Sequence, residues 1–510
     1  MTNSVILGKD LSINLSKLNR HGFITGATGS GKTVTLKVLA EQFAQQGIPV
    51  FVSDIKGDIS SFIQSGEIND KVKERIDEIG LSEYQNRKYD VEFFDVFQKE
   101  GTPLRTTISE MGPILLSKLM GLNDIQEGVL NIAFKLADER KLLLVDTKDL
   151  RVILNFVNDN KTELSTIYGN ISSASIGAIL RSLLVIEEQG GNLFFGEPAF
   201  EITDFLKQNA SGEGIINVLS SKQLYESPAL YSTFLLWLLS ELYENMPEVG
   251  DLDKPKIVFF FDEAHLLFDS GNKILIDKIE KIVRLIRSKG VSVFFVTQKA
   301  TDIPEDILAQ LGNRIQHSLR AYTPNEQKEV RAIADSFRQD GSMDIVEEIL
   351  NLKTGEAIVS ILDDDSKPTL AKKVLIAPPQ SKMGDADKNE LIRVINNSSL
   401  YEKYGESVDN ESAFEILTAE KEKKALEIEQ AKLEEENIKE QERLQKEQEK
   451  LLKEQEKENQ RIIKEQQREE TRKSNKTTMF ERFTNNLIGS VGRSVGREII
   501  RGIFGSIRKK

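Results

Sequence analysis

Cysteine is absent from all 510 residues, which removes disulfide frameworks, thiolate zinc sites, iron–sulfur clusters and cysteine nucleophiles together. Histidine is scarce: His21, His265 and His317 lie far apart, so no histidine-rich metal site is expected. No apolar run approaches the ~18 residues a spanning helix needs; the richest are Ile257–Phe261 and Leu235–Leu239. The opening MTNSVILGKD has no basic stretch followed by an apolar core, so no secretory signal is read there. The expected setting is the reducing cytoplasm.

Charge is abundant, with 68 basic and 81 acidic side chains giving a net −13. Its distribution is uneven. Residues 420–473 hold 15 basic and 17 acidic groups, and residues 480–510 hold seven basic and two acidic. With Lys476 counted, −17 remains for residues 1–419. An acidic body lacks the basic footprint usual in nucleic-acid binders, although a basic pore inside an acidic ring would not show in the sum.

The length allows about three domains at roughly 150 residues each. Residues 1–380 read as a globular core. Five short apolar runs read as buried strands: Phe23–Thr25, Val50–Ser53, Ile215–Leu219, Ile257–Phe261 and Val291–Thr297. Turns or helical patterns follow each run, the alternation of a parallel α/β sheet. Ile315–Leu319 and Ala357–Ile361 are weaker strand candidates. Between about 102 and 190, apolar residues at three- and four-residue spacing in Ser109–Leu119, Ile125–Ala137 and Ser175–Glu188 predict a helical insertion. Residues 381–413 read as a linker with some helix.

Residues 414–473 contain neither Pro nor Gly and are dominated by Glu, Lys and Gln, the composition of one long helix. Leu426, Leu433, Leu444, Leu451 and Ile462 are spaced 7, 11, 7 and 11. Each pair of steps makes five turns, so the seam runs straight instead of supercoiling. A solvated single helix and a coiled coil both fit. Residues 474–510 form a basic tail in which Phe483, Leu487, Val491 and Val495 begin a four-residue apolar repeat punctuated by glycines. Docking on a protein surface, lying on an anionic membrane and disorder are the readings that suit that pattern.

The chemistry begins at Gly26-Ala27-Thr28-Gly29-Ser30-Gly31-Lys32-Thr33, which fits G-x-x-x-x-G-K-[ST] between a strand and a helix that opens at Val34. Glycines let successive N–H groups point inward at phosphate oxygens, and the helix N-terminus favours the same anion. Lys32 suits the β- and γ-phosphates, and the Thr33 hydroxyl suits Mg²⁺. The strand Ile257–Phe261 ends in Asp262-Glu263. Asp262 would support Mg²⁺ and Glu263 would polarise water, pointing to ATP hydrolysis; capping of the next helix is the plainer alternative. Because Ile215–Leu219 falls between Thr33 and Asp262 in the chain, a strand is expected between the loop strand and the acidic strand. Gln298, at the end of Val291–Thr297, can touch the γ-phosphate or simply occupy a turn.

These residues together resemble the HerA-like branch of the HerA/FtsK ATPases. The matching stretches are GATGSGKT, the segment Ser53-Asp54-Ile55-Lys56-Gly57-Asp58, IVFFFDEAH and VFFVTQ. RTTISEMGP, EEQGGNLFFGEPAF and LGNRIQHSLRAYTP resemble an uncharacterised bacterial subfamily of that branch. The resemblance implies a RecA-like core, ATP with Mg²⁺, and a hexameric ring in which one subunit's arginine completes its neighbour's site. Arg320, expected on the strand after Gln298, is the first choice for that arginine and Arg314 the second. Two departures matter. Only about 20 residues precede the loop, so the N-terminal barrel that engages a nuclease in HerA, and nuclease coupling through it, are in doubt. The long charged helix is not something a DNA motor requires. The expected function is a DNA-translocating ring ATPase acting on double-stranded DNA; the alternative is an ATP-switched assembly or membrane-docking protein.

Overall fold

The computed structural model describes residues 4–268 and 273–474. The chain divides into two compact units, residues 1–421 and 422–510. The basic tail beyond Ser474 lies outside the described residues.

In the first unit, β1 (Ser4–Gly8) and β2 (Leu11–Asn14) form a small antiparallel ribbon. The main sheet then takes β3 (Gly22–Thr25), β4 (Val50–Asp54), β5 (Val91–Asp95), β6 (Thr102–Pro103) and β7 (Ile216–Ser220). It is completed by β8 (Ile257–Phe261), β9 (Val291–Thr297), β10 (Asn313–Gln316), β11 (Glu356–Ser360) and β12 (Lys372–Leu375). The order is β12-β11-β10-β3-β9-β8-β4-β7-β5-β6, parallel from β10 to β6, with β11 and β12 antiparallel at one edge. This is the expected α/β core, with a mostly parallel sheet, a helical insertion and a long C-terminal helix.

A strand does separate the loop strand β3 from the acidic strand β8. It is β9, which follows Asp262 in the chain, whereas β7 lies beyond β4. Chain order between two motifs therefore gave the wrong strand as the spacer.

Strands β8 and β9 are buried throughout, which is why they read as unbroken apolar runs. Their side chains alternate between two cores. On one face Phe260 and Phe294, 5.2 Å apart, pack with Phe43 of the helix Lys32–Gln45. On the other Phe259 meets Phe51 at 5.0 Å, within the same core as Trp237 of the helix Pro228–Asn245. Each such ring contributes about 1.5–3 kcal/mol by leaving water. The insertion between β6 and β7 comprises Ile108–Leu119, Asp124–Arg140, Thr147–Asp159, Lys161–Tyr168 and Ser173–Ile186, and its apolar faces join this second core.

Residues 381–413, expected as a linker, belong to the first unit. They carry the helices Lys388–Asn396 and Ser399–Tyr404. Tyr404 is fully buried, donates to Asp204 Oδ2 at 2.6 Å and accepts from the Glu201 N–H at 3.1 Å. Glu41 holds the start of the segment, accepting from the Gln380 and Ser381 N–H groups. The helix Ala413–Ser474 begins on the same unit: Asp149 Oδ1 accepts from Ser412 Oγ and the Phe414 N–H. Among the described residues no single helix is long and apolar enough to cross a membrane.

Candidate nucleotide site

Parallel register places the C-terminal ends of four strands along one edge of the sheet. Thr25 is level with Thr297, Phe295 with Phe261, and Phe261 with Ser53. The phosphate loop, Gln298, Asp262-Glu263 and the turn after β4 therefore gather at that edge.

Within the loop Gly26, Gly29 and Gly31 have φ of 149°, 77° and 117°, where an L side chain is strained. At Gly26 a Cβ would also lie 2.5 Å from the Cβ of His317. Gly31 starts the helix Lys32–Gln45 without a side-chain cap, so its first-turn N–H groups are left for an anion. Lys32 Nζ donates to the carbonyls of Gly26 at 2.7 Å and Ala27 at 3.2 Å, and burial lowers its pKa, with Lys56 adding to the effect. Thr33 and Val34 are half-buried at the mouth of the helix. The buried Ser30 hydroxyl has no hydrogen-bond partner among the described residues.

Across β9, Asp262 is pushed up to about 6 by burial first and by Glu263 second. One of its oxygens accepts from the Glu263 N–H at 2.9 Å. Glu263 is buried and sits in the left-handed region at φ 48°, a conformation that costs a non-glycine residue energy and gathers at functional sites. Lys56 holds its Oε1 at 2.8 Å, while Oε2 has no hydrogen bond among the described residues. The Asp54 carboxylate builds the turn that delivers Lys56, accepting from the Gly57 N–H at 2.7 Å and the Ile59 N–H at 3.2 Å. Beneath the pair, the Tyr231 hydroxyl donates to the Asp262 carbonyl at 3.1 Å and meets Ser53 Oγ at 2.7 Å.

His317 buttresses the loop from β10. Its Nε2 accepts from Thr35 Oγ1 at 2.8 Å and its Nδ1–H donates to the Glu356 carbonyl at 2.9 Å. Burial holds it neutral, with a pKa lowered to about 4. The sequence reading missed Lys56, Tyr231 and His317 as parts of this site. Lys56 lay inside a segment already singled out, but nothing in the spacing tied it to Glu263.

The two arginines fare differently. Strand β10 ends at Gln316, so Arg320 is in the following loop and not on a strand. The chain leaves the sheet there because its backbone turns to the phosphate loop: the His317 N–H donates to Thr25 O, and Ser318 O accepts from the Ala27 N–H at 2.8 Å. Arg320 is exposed, with no hydrogen bond or ion pair among the described residues. Arg314, level with Phe23, donates to the carbonyls of Leu311 and Ser336. With Arg20, Arg284 and Arg287 it lines a separate cavity of about 240 Å³. It stands at the start of β10, away from the edge that carries the loop.

A family model, Helicase HerA-like C-terminal, matches residues 4–510. The chain belongs to the HerA-like family. That family comprises NTP-hydrolysing P-loop ATPases. This HerA-like chain is 25% identical over 400 residues to the DNA double-strand break repair helicase HerA of Sulfolobus acidocaldarius, covering 74% of this chain and 69% of that protein. With the same helicase of Sulfurisphaera tokodaii it shares 26% over 372 residues, 69% of this chain and 65% of the relative. The chain thus spans about two thirds of these relatives' length. Among solved structures, the bacterial conjugative coupling protein TrwB aligns with TM-score 0.48 and 16% identity over 76% of this chain and 91% of that one. VirB4 of Thermoanaerobacter pseudethanolicus gives 0.46 and 16% over 77% and 99%.

The residues at the edge suit Mg²⁺ with a nucleotide. Among the described residues no three acidic or histidine side chains cluster as a metal cage. Mg²⁺ commonly takes only one or two protein oxygens, keeping waters and substrate phosphates as its other ligands. The Thr33 hydroxyl and the Asp262 carboxylate supply that number, and the orphaned Ser30 hydroxyl is a further polar group waiting in the loop.

Proposed function

We propose that this HerA-like chain hydrolyses ATP and couples the energy to movement along double-stranded DNA as a ring, with one arginine per site closing on the nucleotide. The observation that carries the hydrolytic part is the meeting, at one sheet edge, of an uncapped glycine loop with a buried, strained Glu263. Lys32 would turn from the Gly26 and Ala27 carbonyls to the β- and γ-phosphates. Gly26 to Val34 would surround the phosphates with N–H groups. Mg²⁺, held by Thr33 and Asp262 with the phosphates, would supply charge neutralisation. Glu263 would accept the proton of the attacking water, positioned meanwhile by Lys56. Gln298 is exposed at the end of β9 and so free to orient that water or report its loss. Arg320 would neutralise charge on the transferring phosphoryl group.

The DNA part rests on the family and on the relatives' names. The acidic body of −17 favours the second reading, an ATP-driven assembly or membrane-docking role that moves no polymer. Steady-state ATP turnover of the full-length protein with and without double-stranded DNA separates the two. Stimulation by DNA that fades as salt rises supports a motor gripping phosphates. Turnover indifferent to DNA overturns that part and leaves the assembly reading, with anionic vesicles the next additive.

A further inference from the structure

The helix Ala413–Ser474 carries a charge-free stripe more orderly than its leucines alone suggest. From Leu426, steps of 4, 3, 4, 4 and 3 residues lead to Gln430, Leu433, Asn437, Gln441 and Leu444. The same five steps from Leu444 lead to Gln448, Leu451, Gln455, Asn459 and Ile462. At 3.6 residues per turn these positions share an arc of about 80°. From 426 to 466 no Asp, Glu, Lys or Arg enters that arc. The apolar members are exposed, Leu433 at 54% and Leu451 at 55%.

Charge is sorted around the rest of the helix. One flank of the stripe is a row of glutamates: Glu429, Glu436, Glu440, Glu447, Glu454 and Glu458. The other flank carries Ile438, Gln445, Leu452 and Ile463, interrupted by Glu427, Glu434 and Glu456. The lysines between 426 and 466 lie on the far side, while Arg443 and Arg461 border the glutamate row and reach Glu440 at 3.5 Å and Glu458 at 3.9 Å, which leaves the rest of the row without a basic neighbour of its own flank. A helix kept single by ion pairs alone needs no neutral stripe running along its length.

We propose that the stripe seats a second copy of this chain, parallel and in register. Orientation follows from the flanks. In a parallel pair the flank of one helix meets the opposite flank of its partner, so the glutamate row faces mostly Ile, Gln and Leu. In an antiparallel pair like flanks meet, setting one glutamate row against the other, which is destabilising. Register follows from the length of the stripe and its polar members: in register each amide meets its own kind, Asn437 on Asn437 and Gln448 on Gln448, along the whole stripe, whereas the 18-residue slip that also keeps leucine on leucine sets Asn437 opposite Gln455 and leaves half of the stripe unpaired. Buried Asn fixes register in this way at some cost in stability. The five-turn repeat keeps the seam facing the partner with little supercoiling.

The chain's lack of cysteine makes a clean test. Leu433→Cys, Ile462→Cys and Lys450→Cys are made singly in the full-length protein, on exposed helix positions where folding is not at stake, and oxidised mildly. The expected result is a disulfide-linked dimer for Leu433→Cys and for Ile462→Cys, and little for Lys450→Cys. Adding Leu444→Glu and Leu451→Glu to the Leu433→Cys chain should abolish its dimer. Cross-linking of Leu433→Cys to Ile462→Cys only when the two are mixed shows antiparallel pairing and overturns the proposal. So does equal cross-linking at Lys450→Cys, which is mere proximity, or no cross-link at any position.

Discussion

Glu263 spends a strained backbone and a buried carboxylate on one position, with Lys56 at 2.8 Å from Oε1 and His265 Nδ1 at 3.4 Å from Oε2. Glu263→Gln should keep nucleotide binding and lose turnover by ~100-fold or more, the scale of a lost general base. Normal turnover in that variant removes Glu263 from the chemistry. Lys32→Ala should instead weaken nucleotide binding by more than tenfold, about 1.4 kcal/mol, read by titration with a fluorescent nucleotide. Lys56 acts on Glu263 through its 2.8 Å ion pair, as a positioning residue, so Lys56→Ala should lower kcat with KM little changed, and Lys56→Arg should restore part of it. An equal loss in both variants would mean that Lys56 matters only to local packing. The buried histidines make a pH prediction. Burial holds His21 and His317 at about 4, so between that value and about 6.5 the unfolded chain binds protons that the folded chain refuses. Stability therefore falls as acid is added through that window, by up to about 1.4 kcal/mol per pH unit for each histidine. The unfolding midpoint of His317→Gln should drop less between pH 6.5 and 5 than that of the parent. Equal drops would show that His317 is not responsible. Asp262, held up at about 6, works the other way, costing stability as pH rises from its unfolded value to the folded one.

Elements were legible in the sequence where their chemistry is local. The loop from Gly26 to Thr33 and the pair Asp262-Glu263 declare themselves because each is contiguous, and β8 and β9 because burial on both faces forces unbroken apolar runs. Strand β5 escaped notice because Glu92 and Asp95 break its run; Asp95 caps the N–H groups of Phe97, Lys99 and Glu100, and Glu92 accepts from Ser398. Strand β10 ends at Gln316, three residues before the apolar pattern does, because the pattern continues to Leu319 after the backbone has turned to the phosphate loop. The segment 381–413 read as a linker because its anchors are partners distant in sequence, Glu41, Asp204 and Asp149, which no composition reveals. Its packing predicts that Tyr404→Ala destabilises the first unit by about 3–5 kcal/mol, the cost of deleting a large buried aromatic, with Asp204 losing its hydroxyl donor as well. Chemical denaturation of the full chain checks this. A loss below ~1 kcal/mol would show that the segment does behave as a linker.

At the scale of the whole molecule the open matter is how one copy's site depends on another. Arg320 follows two residues after Ser318, whose carbonyl accepts from the Ala27 N–H of the same chain, so this arginine stands beside its own phosphate loop while its side chain is exposed and has no partner among the described residues. Exposure is what a group reaching a neighbouring copy needs; closeness to Ala27 is what a group serving its own site needs. Mixing variants separates them. Lys32→Ala and Arg320→Ala should each be inactive alone. If Arg320 reaches across, a mixed ring contains sites whose loop comes from an Arg320→Ala copy and whose arginine comes from a Lys32→Ala neighbour. At equal mixing about a quarter of all sites are of that kind in a cyclic assembly with one type of interface. Turnover should recover to about that fraction of the parent rate, and it should do so only when the two proteins are allowed to exchange subunits. If Arg320 serves its own loop, no copy in the mixture carries both residues, and activity stays at the level of either variant alone however long exchange proceeds.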